Sequence, residues 1–434
     1  MTRNFFGGIQ WAVFLLASSI AAPVAIASVF GMTGLETALF LQRTVFVLGL
    51  ACLTQALFGH RMPINEGPAG LWWGIFIVYA GLAGILYPSS ADALQALQSG
   101  MIYSGVLFVL LAVSGLAGKM KELFTPAITF VYLLLLVLQI SESIINGMLG
   151  IVSDGDPVSI PIIGASVAIV LLMFYFSSHR VGWINRYSVL FAIGAGWLLF
   201  ILMGEAAPVH FSEAPFITFP EVFVFGPLVW DSGMFVTSLF LTVLLMANML
   251  ASIRVMELLM KNTFKVDKPL RIKGASAASG INHLLAGIFS SIGPVPISGA
   301  AGFVAATRAV SLAPFIIGGI IVVLISLFPD LMAVLAALPA PVAYAVIFVI
   351  FSKMTEMAFR ELTVSEDRER AYKIAAYGLI AGVGIMFVSP ESMGELPAAA
   401  AATLSNGLIV GTLTSIVVEQ IWLWRDRVKA KKHT

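Results

Sequence analysis

Long apolar runs recur from one end of this chain to the other, and they constrain its fold more than any other feature. Each run approaches the roughly 20 residues that an α-helix needs to cross the hydrocarbon core of a bilayer. Hydrophobic residues make up 59% of the 434 residues, and charged residues only 11%. A water-soluble domain does not tolerate this much apolar surface. The chain is therefore predicted to be an all-α polytopic membrane protein.

Fourteen apolar ranges are predicted to be transmembrane spans, seven on each side of a polar, proline-rich stretch at 205–231. The first seven cover 9–30, 35–58, 68–87, 97–117, 123–148, 158–178 and 184–204. The second seven cover 234–260, 274–292, 300–311, 312–329, 333–353, 372–389 and 399–424.

The distribution of basic residues predicts the orientation of these spans. With the N-terminus placed in the cytoplasm, the outer loops contain no Lys or Arg, while the inner loops are rich in both. Cytoplasmic loops characteristically carry this excess of positive charge. Arg43 alone of the 24 basic residues falls in the middle of a span. Both termini are therefore predicted to be cytoplasmic.

Two segments more than two hundred residues apart are nearly the same. Residues 63–71 (PINEGPAGL) match residues 296–303 (PISGAAGF) when one residue of the first is dropped. Because each half has an odd number of spans, the halves are predicted to be inverted repeats, with spans 3 and 10 broken into a short extended strand and a half-helix. Gly- and Pro-interrupted spans in matching positions point to a substrate site near the bilayer midplane.

Other classes of function are not indicated by the sequence. It shows no cluster with metal-ligand spacing, no Gly-x-Ser-x-Gly elbow and no phosphate-binding loop, so we predict neither an enzyme nor a bound metal or cofactor. Its net charge of +1 gives no reason to expect a nucleic-acid partner. The single cysteine, Cys52, excludes a disulfide framework.

At residues 299–308 (GAAGFVAATR) the chain resembles the signature of the nucleobase–ascorbate transporters, the nucleobase:cation symporters that include bacterial uracil and xanthine permeases. Gly299, Thr307 and Arg308 match that signature, whereas its leading acid or amide and its Asn are absent. Arg61-Met62-Pro63 with Gly67 resembles the pattern before the family's third span, and Gln10-Trp11 stands where the first span usually reads Gln-His.

The resemblance implies an architecture and partners. Spans 1–4 and 8–11, in residues 1–117 and 233–331, would form a substrate-carrying core domain. Spans 5–7 and 12–14, in residues 118–232 and 332–434, would form a gate domain and the contact of a homodimer. Transport would occur by an elevator-like movement of core against gate. A small-molecule substrate, a proton or Na⁺ as coupling ion, the lipid bilayer and the bacterial cytoplasmic membrane follow as expectations.

The resemblance also locates a candidate substrate site. The substrate would contact the backbone near Ala69 and Gly70 and near Ser298 and Gly299. Family members hold the base with an acid in the eighth span, and here that position falls on Asn248. An Asn side chain can still donate to and accept from an amide-like edge. Gln10 completes the predicted substrate contacts. A structural role is predicted for the other motif residues, namely Pro63, Gly67, Pro296, Gly302, Thr307 and Arg308.

Three ionisable residues inside predicted spans are candidates for function, since such residues are rare in membranes. Glu66 is predicted to bind substrate or to carry the coupling proton, the alternative being a helix N-cap at the inner interface. His283 is predicted to join a proton relay, the alternative being a hydrogen-bonded structural histidine. Arg43 is expected to form an ion pair with Glu66 or Glu142, or to extend its charge toward the interface.

The sequence therefore predicts a secondary transporter that takes up a purine or pyrimidine base together with a proton. Two alternatives stay open. One is a carrier of another small organic or inorganic anion with the same fold, and the other is a membrane homologue that does not transport.

Overall fold

The computed structural model describes residues 2–118, 123–151, 155–206, 208–211, 215–365, 367–393 and 395–432. The first half contains α1 (Thr2–Ala17), α2 (Ala21–Val29), α3 (Gly34–Leu57), β1 (Glu66–Pro68), α4 (Gly70–Leu82), α5 (Ser90–Ser114), α6 (Pro126–Leu149), α7 (Ile160–Ser177), α8 (Gly182–Arg186) and α9 (Ser188–Met203). The second half contains α10 (Ser232–Phe264), α11 (Ile272–Ile288), β2 (Pro294–Pro296), α12 (Gly299–Thr307), α13 (Leu312–Ser326), α14 (Pro329–Ala336), α15 (Ala340–Thr363), α16 (Arg368–Met386), α17 (Ala398–Leu404) and α18 (Gly407–Lys432). Short 3₁₀ turns in the described ranges lie at Leu116–Gly118 and Pro390–Met393.

The helix ends follow local sequence chemistry. Thr33 and Glu36 form a reciprocal capping box at the start of α3, with the Glu36 carboxylate accepting from the Thr33 N–H at 2.7 Å. Gly115 ends α5 in the left-handed conformation, at φ +73°, where a residue without a Cβ is unstrained.

Eight helices, counting α1 and α2 together as Asn4–Val29, are long and apolar enough to cross a membrane within the described part of the chain. A ninth candidate is the pair α13 and α14, which is bent by 92°. Each of the fourteen predicted ranges overlaps a helix, but several of these helices are shorter than a full crossing. The chain is thus a helical, multi-pass membrane protein, and the count of fourteen spans stays a prediction.

The helices pack in two groups. In the first group, α5 packs on α10 and α11, α3 packs on α11 and α13, and α1 packs on α13. In the second group, α6 packs on α15, α16 and α18, α7 packs on α9 and α15, and α16 packs on α18. Contacts between the groups include α2 with α15 and α4 with α6. The exact domain boundaries stay a prediction.

The same packing pattern occurs in both halves of the chain. If each helix is matched to its counterpart seven predicted spans later, the contact of α3 with α13 corresponds to that of α11 with α5. The contact of α7 with α9 corresponds in the same way to that of α16 with α18. At the centre, β1 and β2 pair antiparallel, so the two matching segments run in opposite directions.

The strand pair corrects the register of the sequence match. Glu66 lies opposite Pro296, Gly67 opposite Val295 and Pro68 opposite Pro294. Gly70 begins α4 and Gly299 begins α12, so these two glycines are equivalent. The sequence match instead aligns Gly299 with Gly67. That alignment was wrong because Pro, Gly and Ala recur so often here that several registers fit equally well. Only the boundary between strand and helix identifies the equivalent residues.

Candidate functional site

The candidate site is built around the strand pair and the two helices that follow it. The Ala69 N–H donates to the Gly293 carbonyl at 3.0 Å, and the Ile297 N–H donates to the Asn65 carbonyl at 2.9 Å. The starts of α4 and α12 therefore lie close to the paired strands β1 and β2. Neither helix has a side-chain hydrogen bond at its N-cap, which is Ala69 for α4 and Ser298 for α12. At α12, the N–H groups of Ala300 and Ala301 already donate to the carbonyls of Ile297 and Ser298, at 3.2 and 3.0 Å. In general, the first N–H groups of a helix lack partners one turn earlier and favour electronegative groups.

The predicted backbone contacts differ in exposure. Ala69 is buried and Gly70 half-buried, while Ser298 is half-buried and Gly299 exposed. Gly70 faces the second helix group, because a Cβ there would lie 3.3 Å from the ring of Phe351 in α15. The start of α4 is therefore at the boundary between the two groups of helices.

Asn248 and Gln10 lie in different environments. Asn248 is half-buried on α10, a helix that contacts both β2 and α12. Gln10 is exposed on α1. Its neighbour Trp11 is fully buried and lies 4.4 Å, between ring centroids, from Phe303 of α12. Of the neighbours Gln10 and Trp11, it is therefore Trp11 that packs against α12 and supports it. The sequence does not predict this role.

Glu66 lies in β1 and not at a helix N-cap, so the N-cap alternative is wrong. It is 1% exposed, and neither carboxylate oxygen has a hydrogen-bond partner among the described residues. The imidazole of His60 lies close by, with its Nε2 4.0 Å from Oε1 of Glu66. Both side chains are completely buried. His60 is not predicted as a site residue from the sequence, because no local pattern marks a histidine that packs beneath a strand.

His283 occupies a separate environment in α11. Its Nδ1 is 2.9 Å from the Ser279 carbonyl, and its ring lies 4.9 Å from that of Phe108 and 6.2 Å from that of Trp72. Its Nε2 has no partner among the described residues. These contacts are typical of a packed, hydrogen-bonded histidine, and its predicted place in a relay stays a prediction.

The motif residues have distinct local settings. Gly67 packs under Ile297, and a Cβ at Gly67 would collide with that side chain. Thr307 donates to the Phe303 carbonyl at 2.8 Å and accepts from the Ala309 N–H at 3.2 Å. Arg308 ends α12 at φ +56°. The other three motif residues are Pro63 and Pro296, which are buried, and Gly302, which is exposed.

Arg43 does not pair as predicted with Glu66 or Glu142. Its Nε donates to the Ser290 carbonyl at 3.4 Å. Its guanidinium carbon lies 5.9 Å from the ring centroid of Phe40 and 5.6 Å from that of Phe225. Phe225 belongs to the segment 215–231, which we call the outer segment because it is predicted to lie outside the cell. Arg43 therefore helps to hold that segment against the first helix group.

Two of the cavities formed by the described residues lie toward opposite ends of the helices, and we name them inner and outer after the predicted orientation of the chain. The inner cavity, of about 220 Å³, is lined by residues at the start of α6, the end of α15 and the middle of α10, including Ala247, Arg254 and Glu361. The outer cavity, of about 300 Å³, lies among α2, α3, α14 and the segment that contains His210. The inner cavity reaches the residue next to Asn248.

No group of three or more His, Cys, Asp or Glu side chains within the described ranges is arranged to hold a metal ion. The polar groups described near the strand pair include backbone N–H donors, amides, the Glu66 carboxylate, the His60 imidazole and the Cys52 thiol. Such a set can recognise a small polar molecule.

A multi-pass helical protein with paired strands between two helix starts belongs to the class of membrane transporters. Residues 2–391 match the model of the Permease family, Xan_ur_permease, and the chain belongs to this family. This membership confirms the resemblance drawn from the sequence. The relatives found are transporters and not enzymes.

Relatives that cover almost the whole chain include two permeases of Bacillus subtilis. One is named "Putative purine permease YwdJ", from Bacillus subtilis, and is 42% identical over 424 residues, covering 97% of this chain and 96% of its own length. The other is the uric acid permease PucK of Bacillus subtilis, which is 24% identical and covers 95% of this chain and 93% of its own length.

A solved structure shares the fold. The transmembrane domain of the cyanobacterial bicarbonate transporter BicA superposes with a TM-score of 0.64 at 13% identity. It covers 96% of this chain, and the match spans 98% of the BicA chain.

Proposed function

We propose that this permease carries a nucleobase across the cytoplasmic membrane, with purines as the first candidates. The observation that carries the proposal is the 42% identity, over 97% of the chain, to a relative named as a purine permease. The second relative, named as a uric acid permease, is consistent with an oxidised purine as substrate.

The base binds between the starts of α4 and α12, where the N–H groups of two helices are free of side-chain caps. Asn248 of α10 recognises the edge of the base. Its amide offers one acceptor and two N–H donors, which suits the alternating N–H and C=O groups of xanthine, hypoxanthine or uracil. Because Asn248 and Gly299 are both uncharged, recognition relies on neutral hydrogen bonds in place of an acidic residue.

Transport couples to an inward movement of protons and proceeds by a shift of the first helix group, the core, against the second, the gate. The two packing groups and the cavities at opposite ends of the molecule support this mechanism. The matching packing of the two halves supports an inverted repeat. We place both termini in the cytoplasm and a homodimer contact on the gate.

The test is uptake of radiolabelled xanthine, uric acid, hypoxanthine, guanine, adenine and uracil by cells that lack their own permeases, at acid and neutral pH. We expect acid-stimulated uptake of at least one purine. Asn248→Ala should abolish it, whereas Asn262→Ala should not, because Asn262 is exposed at the far end of the same helix. A well-expressed protein that moves none of the six bases would contradict the proposal.

One observation favours a second candidate, a carrier of a small anion. Two uncapped helix starts converge on a site without a carboxylate from α10 or α12, and helix N-termini attract anions. Sulfate, bicarbonate and benzoate therefore belong in the same uptake series. Transport of an anion with no effect of purines would select this candidate, and transport of neither class would select a homologue that does not transport.

A further inference from the structure

The strand β1 has two faces with different chemistry. Successive side chains of a strand point to opposite faces. Asn65 and Gly67 share one face, since a Cβ on Gly67 would meet Ile297 and lie 3.9 Å from Nδ2 of Asn65. Glu66 projects from the other face, toward the end of α3, where Cys52 and His60 lie. The carboxylate is therefore behind the strand, away from the Asn65 side chain.

His60 presents an N–H to that carboxylate. The Met62 N–H donates to Nδ1 of His60 at 3.0 Å, so Nδ1 is an acceptor and a neutral ring carries its proton on Nε2. This Nε2 is the atom that faces Glu66, at 4.0 Å. The His60 backbone N–H donates to the Gln55 side chain at 3.3 Å, which fixes the histidine in place. If His60 became an imidazolium, its Nδ1 would carry a proton and could no longer accept the hydrogen bond from the Met62 N–H.

The titratable groups described on the elements around Glu66 and His60 do not form an ion pair with the Glu66 carboxylate. From α3, the Cys52 thiol accepts from the Glu66 N–H at 3.3 Å. The strand β2 contributes only Pro294, Val295 and Pro296. His283 of α11 packs against Phe108 and Trp72 instead.

Two basic residues lie at the inner end of this region without reaching Glu66. Arg61 is exposed, and the Nζ of Lys268 donates to the Arg61 carbonyl at 3.2 Å. Burial lowers the pKa of Lys268. A fully buried carboxylate without a strong donor is costly in its charged form. Among the described residues, the Nε2–H of His60 is the donor that faces the Glu66 carboxylate.

We propose that Glu66 holds the coupling proton on the reverse face of β1, and that the Nε2–H of His60 stabilises the carboxylate once the proton has left. The proton comes from water on the outside, is carried as the O–H of the Glu66 carboxyl, and returns to water on the inside. His60 stays neutral throughout and acts as a positioning residue.

This inference rests on the proposed function and makes it more specific. The substrate binds at the start of α4, and the proton binds on the reverse face of β1, the strand that leads through Ala69 directly into α4. Closing the 4.0 Å gap between His60 and Glu66 moves that strand, and so changes the start of α4. By linkage, each ligand then changes the affinity for the other by the same factor.

The experiment uses the full-length protein in proteoliposomes with an imposed inward proton gradient and a labelled purine. Glu66→Gln should still bind purine, seen as thermal stabilisation, and still exchange it across the membrane, but lose accumulation driven by the gradient. His60→Leu, which removes the N–H, should behave like Glu66→Gln. His60→Gln, which keeps an N–H, should retain gradient-driven accumulation. His179→Gln is the matched control, because Nδ1 of His179 likewise accepts from the N–H two residues later, at 3.0 Å, but lies in the loop between α7 and α8. It should keep the wild-type pH profile.

The outcomes separate this inference from the proposed function. A wild-type protein that neither binds nor moves purines contradicts the proposed function. A wild type that accumulates purine while Glu66→Gln does so equally well overturns the inference, as does loss of purine binding in Glu66→Gln, which would make Glu66 a substrate ligand.

A second measurement does not depend on whether His60 variants fold. Infrared difference spectra between acid and alkaline pH should show the C=O stretch of a buried carboxylic acid in the wild type and not in Glu66→Gln. The same band in both proteins would overturn the inference.

Discussion

Gly105 of α5 and Gly280 of α11 face each other at a point where the two helix backbones touch. A Cβ on Gly105 would lie 2.9 Å from the Gly280 carbonyl oxygen, and one on Gly280 would lie 2.8 Å from the Gly105 carbonyl oxygen. The counterpart contact, between Gly49 of α3 and Gly319 of α13, is also close, with corresponding distances of 3.3 and 3.6 Å. Small residues let membrane helices approach this closely, and here they do so at equivalent crossings of both halves.

Gly280→Leu should destabilise the protein. A larger side chain has to separate α5 from α11, and overpacking of this kind costs about 1–3 kcal/mol. The measurement is thermal unfolding of the purified protein in detergent. Gly194→Leu is the control, because no atom lies within 4 Å of a Cβ at that helical position. An equal melting temperature for Gly280→Leu and wild type would contradict the proposed contact.

Trp11→Ala should impair both stability and uptake. Trp11 is fully buried and packs on Phe303 and on Phe315, whose ring centroid is 4.9 Å away. Its loss leaves a cavity beneath α12, at a cost of about 3–5 kcal/mol. Trp183→Ala serves for comparison, since Trp183 is 56% exposed. Melting temperature and initial uptake rate are measured together, and full activity of Trp11→Ala would show that α12 needs no such support.

Gln98→Ala should loosen the outer segment 215–231. Gln98 donates to the Gly226 carbonyl at 2.7 Å and accepts from the Ser290 hydroxyl at 2.5 Å. Without these bonds, amides near Gly226 should exchange hydrogen faster in mass-spectrometric exchange measurements. Gln10→Ala, at an exposed glutamine, should leave this segment as protected as in wild type. Unchanged exchange in Gln98→Ala would mean that the two hydrogen bonds of Val229 are sufficient, in which its carbonyl accepts from the Tyr103 hydroxyl and its N–H donates to the Ser99 hydroxyl.

Single cysteines should report the predicted orientation of the chain. Cys52 is buried, so the native thiol should not react with a membrane-impermeant maleimide. In a Cys52→Ala background, Ala251→Cys in the inner cavity should be labelled only in inverted vesicles. His210→Cys in the outer cavity should be labelled only in intact cells. The reverse pattern would place the termini outside.

Sequence patterns predicted the helical elements well because they are encoded locally. Apolar runs, capping residues such as Thr33 and helix-ending glycines act over a few neighbouring residues, and each predicted span overlaps a helix. The interruptions before α4 and α12 were visible for the same reason, as Pro and Gly in apolar surroundings. The register of the repeat was not, because it depends on which residues of β1 meet those of β2.

The surroundings of single side chains required the folded chain. Arg43 was expected to find an acid, yet it lies on Phe40, Phe225 and the Ser290 carbonyl, because the outer segment folds back over α3. In the pair Gln10-Trp11, the resemblance predicts a substrate contact for Gln10. In the structure Gln10 is exposed, and Trp11 is the buried residue that packs against α12.

The sequence alone determined that this chain is a membrane permease with two related interruptions, since hydropathy, charge bias and motif residues are all properties of the linear chain. The tertiary structure decided which residues meet at the interruptions. His60 faces Glu66 because the turn after α3 brings the ring beneath β1 while the Met62 N–H fixes its tautomer. Such a pairing depends on the positions of whole elements in space, and no spacing along the chain encodes it.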